Sequence, residues 1–331
     1  MATITTSEVT NAVQTHLDNV LLLMAAPKLV HTLFGRRGTI PKNAGEKAKF
    51  IRINSLATAT TALTEGTNPA STDWGKTEVE VTVQEYGAYL ETSSLKLDTE
   101  ADPVLNGLAL ALADQAGRTR DEICRDTING GTSVIRANYE DARTDIDTSV
   151  VKAELDSLIA QLATGDAQPV TEFVRSDNSA TEQINPCFPT FVHPHLKARI
   201  VAQCGTAFVP VRKYAQNTPT FPGEFGSYDD LRFISTSVCK KWANGGGAVG
   251  TTGLRSTGGS LVDVYSILAC GKEAYGSVGL AEGENAKMIA KTPEQAGGAL
   301  NRTGTLGWMF VVVDDVLNEN FMARLECGAP Q

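Results

Sequence analysis

The sequence predicts an α+β fold built around one long helix, with a two-stranded hairpin standing off the body. Three observations carry this. A helical pattern opens at Asp102-Pro103 and stops at Asn129-Gly130-Gly131. Period-two strand patterns lie before and after it, without the regular βαβ alternation of a parallel sheet. Between two of those strands, Asn54 to Gly75 supplies 22 residues with only Leu56, Leu63 and Trp74 as large apolar side chains. The chain has 331 residues, 42% hydrophobic and 20% charged, enough for a sizeable core and for two domains or one with large excursions.

Taken in chain order, residues 1–27 read as an amphipathic helix. Thr5-x-x-Glu8 is a capping box, Val9, Val13, Leu17, Val20, Leu21 and Met24 recur at helical spacing, and Pro27 ends it. From Lys28 to Arg52, seven cations face one acid, Glu46: +6 in a chain of net charge −9, so the remainder carries −15. Such a segment is a solvated arm, or it is built to lie against an acidic surface. Lys47 to Ile53 forms one strand, and Lys76 to Thr92 a second, with Val79, Val81 and Val83 alternating with Glu78, Glu80 and Thr82. The two pair antiparallel, and the residues between them have too little apolar surface for a core of their own. A neighbouring molecule is expected to stabilise this projecting hairpin.

Asp102 is a suitable N-cap with Pro103 in the first turn, and Val104, Leu105, Leu108, Leu112, Ala116 and Ile123 share a face. Asp114–Arg118, Arg118–Glu122 and Asp121–Arg125 are expected as ion pairs four residues apart. About 26 residues at ~1.5 Å rise make a rod of about 39 Å. Thr148 or Ser149 then opens a second helix ending at Gly165. Phe188 to His193 reads as a strand, Pro194 to Gln203 as a helix, and Leu231 to Ser235 and Leu261 to Cys270 as strands. Asn244 to Ser260, with seven glycines in 17 residues, reads as a flexible surface loop. Leu306 to Glu326 reads as two strands around an Asp314-Asp315 or Asn318-Glu319-Asn320 turn.

The acidic balance disfavours a protein that coats nucleic acid. No run approaches the ~20 apolar residues needed to span a bilayer. Val20 to Pro27 follows Asp18 without a basic n-region, which is not the pattern of a secretory signal. The six cysteines (Cys124, Cys187, Cys204, Cys239, Cys270, Cys327) are irregularly spaced with no CxxC, the pattern of free thiols in a protein made in a reducing cytosol.

Chemistry finds little purchase. Gly245-x-Gly247-x-x-Gly250 matches the dinucleotide fingerprint formally, but no helix pattern follows it. His193-Pro194-His195 with Cys187 and Cys204 lacks the spacing of common zinc sites and reads as a strand-to-helix junction. No GxSxG, Walker A or HExxH occurs. No catalytic, cofactor or metal site is therefore expected.

A resemblance runs from Gly38 to Gly328. It is carried by Gly38-Thr39-Ile40-Pro41, Leu63-Thr64-Glu65-Gly66, Glu85-Tyr86-Gly87-Ala88-Tyr89, Val192-His193-Pro194-His195, Pro222-Gly223-Glu224-Phe225-Gly226 leading into Leu231-Arg232-Phe233-Ile234, and Gly271-Lys272-Glu273-Ala274-Tyr275-Gly276. Leu306-Gly307-Trp308, Leu317-Asn318 and Arg324-Leu325-Glu326 complete the series. In this order the motifs resemble the N4-type major capsid family of tailed bacteriophages. The resemblance implies an HK97-like capsid fold, divided as an N-terminal arm (1–45), an E-loop hairpin (46–92), a P domain with a spine helix (93–147), an A domain (148–290) and C-terminal strands returning to the P domain (291–331). It implies no enzyme activity and no cofactor.

On this reading the protein self-assembles as hexamers and pentamers into the icosahedral shell around phage double-stranded DNA. Assembly takes place in the host cytoplasm and the product is the virion capsid. Portal, scaffolding (supplied as a separate protein) and decoration proteins are expected partners. Packaged DNA is touched only weakly and without sequence preference, and no membrane is involved. The candidate inter-subunit contacts are Lys47, Lys49, Arg52, Arg36 and Arg37 on the basic side and Glu78, Glu80 and Glu85 on the acidic side. The rival readings are a tail or decoration protein and, more remotely, a metal-dependent enzyme using Cys187, His193, His195 and Cys204.

Overall fold

The helical pattern after Pro103 becomes α1 (Val104–Ile128), 25 residues long. The structure, a computed structural model, describes residues 29–331 apart from 55, 57, 64, 67, 69–70, 94–103, 175–180, 215–219, 251, 281–285, 292–294, 296–299 and 301. The expected N-terminal helix over 1–27 and the Asp102 cap with Pro103 lie outside the described residues.

Two sheets meet along α1. The first holds β1 (Arg36–Ile40), β4 (Gln84–Ser93), β13 (Tyr275–Leu280), β14 (Lys287–Lys291) and the 14-residue β15 (Thr303–Val316). β4 pairs with β15 along one edge, β13 and β14 pair with it along the other, and β1 adds parallel to β13. One face of this sheet is a helix-covered core. Ala109, Leu112, Ala113 and Ala116 of α1 pack on Met288, Leu306, Trp308, Phe310 and Val312.

The second sheet has nine strands. Its main path runs β5 (Val134–Arg136), β16 (Met322–Gly328), β12 (Val264–Cys270), β7 (Thr181–Val192), β10 (Leu231–Ser235), β9 (Glu224–Tyr228) and β8 (Val209–Pro210). β6 (Val170–Val174) and β11 (Lys241–Trp242) attach to β7 and β12. All seven residues of β12 and of β16 are buried, because both faces of this sheet are covered. α2 (Lys152–Thr164) and α3 (Pro194–Cys204) cover one face with Leu155, Leu158, Leu162, Leu196 and Ile200. The other face takes Cys124 and Ile128 from the far end of α1, together with Val30 and Phe34. α1 thus spans both cores.

Several expectations need correction. Asp114–Arg118 forms, at 2.7 Å. Asp121 does not meet Arg125: it lies on the buried side of α1 and accepts the backbone N–H groups of Val30 and His31 (2.8 Å each) and bonds the His31 ring (2.7 Å). Arg125 instead bonds Asp126 and the Val238 carbonyl. α2 starts at Lys152, not at Thr148 or Ser149; Glu154 reaches back to the Val151 N–H, while Ser149 bridges to Gly328.

The glycine-rich stretch lies at the surface, as its composition predicts, and is pinned there by hydrogen bonds. Gly246 bonds Val262, Gly247 bonds Ile146, and Asp263 accepts three bonds from Asn244 and Thr257. β15 and β16 do not pair with each other; the turn at Glu319–Phe321 carries the chain from one sheet to the other. Asp314 is not in a turn. It is buried in β15, where Arg120 holds it through two bonds.

Strand membership also cuts across the expected segments. β13, within 148–290, and β14, which crosses the 290/291 boundary, join the sheet under α1, and β16, within 291–331, joins the nine-stranded sheet.

Candidate assembly interface

The hairpin forms between β2 (Lys47–Ile53) and β3 (Lys76–Thr82), with Lys47 opposite Thr82, Lys49 opposite Glu80 and Arg52 opposite Thr77. Directly opposed residues share a face, so the alternation divides the ribbon cleanly. Ala48, Phe50, Val79 and Val81 face the body and pack on Ile40, Val278, Leu280 and Val313. Gly276 makes this possible: a Cβ there would lie 2.9 Å from the Phe50 ring. The opposite face shows Lys47, Lys49, Ile51 and Ile53 beside Glu80 and Glu78.

The strand expected over Lys76–Thr92 is broken at Val83. β3 stays with the hairpin, whereas β4 turns away to pair with β15, with Glu85 opposite Val311. Glu85 is therefore not part of the basic–acidic ladder. Lys47 bonds Glu80 and Lys49 bonds Glu78, both at 2.7 Å and both diagonal to the direct cross-strand register. Lys76 pairs with Glu78 as well. Arg36 approaches Glu273 at 3.6 Å, and Arg37 lies opposite Ser277 on exposed backbone. Arg36 and Arg52 line a cleft of about 490 Å³ between β2 and the turn after β15, with Phe50, Leu317 and Phe321 among its apolar walls.

Hydrogen bonds from Lys49 and then Lys76 hold the Glu78 carboxyl down at about 2, from an ordinary 4.5. Lys47 lowers Glu80 in the same way, and both lysines are raised in return. The ladder's contribution is thus complete above about pH 4.5 and is lost as the pH falls toward 2. A carbon-detected NMR titration of Glu78 should show a midpoint well below that of an isolated glutamate. A midpoint near 4.5 would mean that the ladder is not populated in solution. All four groups are exposed, so salt will weaken them.

Beyond Ile53 every described residue up to Gly75 is exposed. Leu56, Leu63 and Trp74 are 58%, 74% and 66% exposed, and Ile51 and Ile53 are 56% and 69%. An apolar set of this size gathered on one slender element is the kind of surface used in contacts with other proteins.

Elsewhere the expected junction at Val192-His193-Pro194 is a helix start, with the His193 ring accepting the His195 N–H at 3.2 Å. Burial, then His195, brings His193 down to about 4, and burial raises Cys187 and Cys204 to about 11. A thiol held protonated this way is a poor nucleophile. All six cysteines are buried and free, and no cluster of three or more metal-ligating side chains occurs among the described residues. Among the described residues no helix is long and apolar enough to cross a membrane. The Pro222-Gly223-Glu224-Phe225-Gly226 motif has a structural purpose: Gly223 turns the chain at φ +78°, placing Glu224 to grip Arg232 through two bonds of 2.7 and 2.6 Å.

No protein-family model matches the chain. The major capsid protein of Pseudomonas phage KPP21 is 25% identical over 244 residues, an alignment covering 69% of this chain and 61% of that protein. The chain thus spans about three fifths of the curated relative it matches. The capsid of Ralstonia phage GP4 superposes with a TM-score of 0.66 at 10% identity, covering 91% of this chain and 89% of that one. The capsid subunit of cyanophage Pam1 gives 0.57 at 13% identity, with 92% of each chain covered. Neighbours at this level of identity speak to architecture, and the architecture of this chain is the HK97-like fold of tailed-phage capsid subunits.

Proposed function

We propose that the protein is the major capsid protein of a tailed bacteriophage, of the N4 type. Its copies assemble as hexamers and pentamers into the icosahedral shell that encloses double-stranded DNA. The carrying observation is the β2–β3 ribbon: a structural element that anchors to its own body by one face and leaves a row of large apolar side chains uncovered. The printed name of the Pseudomonas phage relative and the fold shared with phage capsids support the same reading. The N4-type assignment rests on the order of motifs from Gly38 to Gly328.

In this reading α1 with the five-stranded sheet forms the P domain, the nine-stranded sheet with α2 and α3 forms the A domain, and the ribbon is the E-loop. Many copies repeat one set of contacts, so individually weak contacts add up through avidity. Portal, scaffolding and decoration proteins complete the particle, and the net charge of −9 suits a container that binds its DNA weakly. The reading assigns the protein no catalysis.

Negative-stain electron microscopy of the full chain, expressed alone and with the scaffolding protein, tests this. Closed shells or isolated hexamers and pentamers are expected; monomers under both conditions would overturn it. The charged ladder provides a second test. Reversing Lys47 and Lys49 to Glu places four acids on one face of the ribbon and should abolish or misshape shells while the circular dichroism spectrum of the subunit stays unchanged. Normal shells from that variant would remove the ladder from the assembly mechanism.

A further inference from the structure

β7 ends at Val192 and Pro194 opens α3, so His193 stands at the cap position, with extended backbone at φ −71° and ψ 141°. Helices favour Ser, Thr, Asp or Asn there, whose side-chain oxygens accept the orphan N–H groups of the first turn. Here the acceptor is an imidazole. The His193 Nδ1 takes the His195 N–H at 3.2 Å, and the His193 carbonyl takes the Leu196 N–H at 3.0 Å. Pro194 has no N–H of its own, so these two bonds tie the first turn. A ring nitrogen accepts only while it carries no proton. The imidazolium form presents an N–H to the His195 N–H and sets a positive charge at the positive end of the helix dipole. This cap therefore exists in one protonation state.

Every element packed against the cap opposes the second state. The rings of His193 and His195 lie 4.4 Å apart, and both lean on Tyr265 of β12, at 4.9 and 5.7 Å between centroids. The His195 Nδ1 lies 3.1 Å from the Tyr265 hydroxyl. Lys241 of β11 and Arg255 of the glycine-rich stretch are the cations that face both rings, and Arg255 is held in place by the Pro330 carbonyl. Asp263 is the facing acid, and Lys241, Asn244 and Thr257 already engage it. Burial, then His195, Lys241 and Arg255, hold His193 down at about 4 from an ordinary 6.5, and burial, Arg255 and Lys241 lower His195 as well. The unfolded chain thus takes up the His193 proton before the folded one does. The cap's contribution is complete above about pH 6.5 and is lost as the pH falls toward 4. The pair is not half of a metal centre, since no group of three or more metal-ligating side chains occurs among the described residues.

We propose that the start of α3 is a pH-gated latch on the nine-stranded sheet: neutral His193 caps the helix, and its protonation breaks the cap and frees the first turn of α3 from β12. Leu196 and Ile200 of α3 are fully buried in the core on that sheet, so loosening begins at the cap and reaches the packing one residue beyond His195. The latch belongs to the folded subunit and does not depend on the shell-forming reading.

Two measurements on free subunits of the unmodified full chain test it. Nitrogen-15 NMR of the imidazoles, of which the chain has four, should show His193 with a bare Nδ1 at neutral pH and a midpoint well below 6.5. Hydrogen-exchange protection of the His195 amide, taken relative to the amides of β12, should fall about tenfold between about pH 7 and about pH 4.5, a value that allows for screening by solvent. His193→Asn supplies an acceptor at every pH, so in that variant the His195 protection should stay level over the same range. His193→Ala removes the acceptor and should show low protection throughout. A His193 midpoint near 6.5, or His195 protection that does not change as His193 titrates, would overturn the latch without any variant having to fold. A His193→Asn protein whose protection falls with pH as the wild type does would overturn it equally. None of these outcomes bears on shell formation, and a failure to form shells would leave the latch standing.

Discussion

Replacing Asp121 with alanine is expected to lower the stability of the subunit by about 3–5 kcal/mol, the range for removing one partner of a buried charged network. The Asp121 side chain is fully buried, and it accepts the Val30 and His31 backbone N–H groups and bonds the His31 ring. Alanine leaves all three groups without their partner in a region closed by Phe191, whose ring centroid lies 4.5 Å from that of His31. Each stranded buried donor costs about 1–3 kcal/mol, so the total is plausible without any term for repacking. The damage should be local as well as global. Residues 29–34 lead into β1, and Tyr275 donates to the His31 carbonyl, so loss of Asp121 frees the root of the basic segment from α1. A lower urea midpoint together with new proteolytic cleavage in residues 29–35 is the expected result. An unchanged midpoint would show that the clasp contributes nothing to folding.

The second large effect is expected at Glu326. Its carboxylate is fully buried, with Arg143 on it through two bonds (2.8 and 2.7 Å), Arg324 at 2.9 Å and Arg136 at 3.8 Å. Trp242 lies between two of these cations, 3.9 Å from Arg143 and 5.6 Å from Arg324. Glu326→Ala leaves three guanidinium groups with no central anion and should destabilise by about 3–5 kcal/mol. A triple variant, Glu326→Met with Arg143→Met and Arg324→Met, should recover much of that loss, because apolar groups of similar volume pay no desolvation penalty. Comparing the two urea midpoints separates stranded charge from lost packing. If both variants unfold alike, the cluster matters through its shape and not its charge.

Much of the architecture can be read directly from residue patterns. The α1 spacing from Val104 to Ile128, the alternation in Lys47–Ile53 and Lys76–Thr82, and the shortage of apolar residues from Asn54 to Gly75 each depend on neighbours a few positions away. Local periodicity reports such features because helix and strand repeat every 3.6 and 2 residues. The Lys47, Lys49, Glu78 and Glu80 part of the charged ladder was legible for the same reason; its diagonal pairing, the placing of Arg52 on the ribbon's other face and the departure of Glu85 into β4 were not.

What stayed hidden depends on long-range pairing. Asp121 has the spacing of an exposed partner for Arg125, and only the packing of residues 30–31 onto α1, some 90 positions away, shows it to be a buried acceptor. Asp314-Asp315 has the composition of a turn, yet β15 runs straight through it because Arg120 neutralises Asp314 inside the core. The break at Val83 has no sequence signal, since Val83 continues the alternation; it arises because β15 offers β4 a ten-residue partner that the short β2 cannot.

By itself, the sequence determined the elements: a long helix, a projecting ribbon with too few apolar residues for a core, and charges sorted by strand, all consequences of local periodicity and composition. The tertiary structure alone decided which acids are buried and which sheet each C-terminal strand joins. Those outcomes follow from hydrogen bonds and burial between residues roughly 90 to 240 positions apart, and no local pattern encodes them.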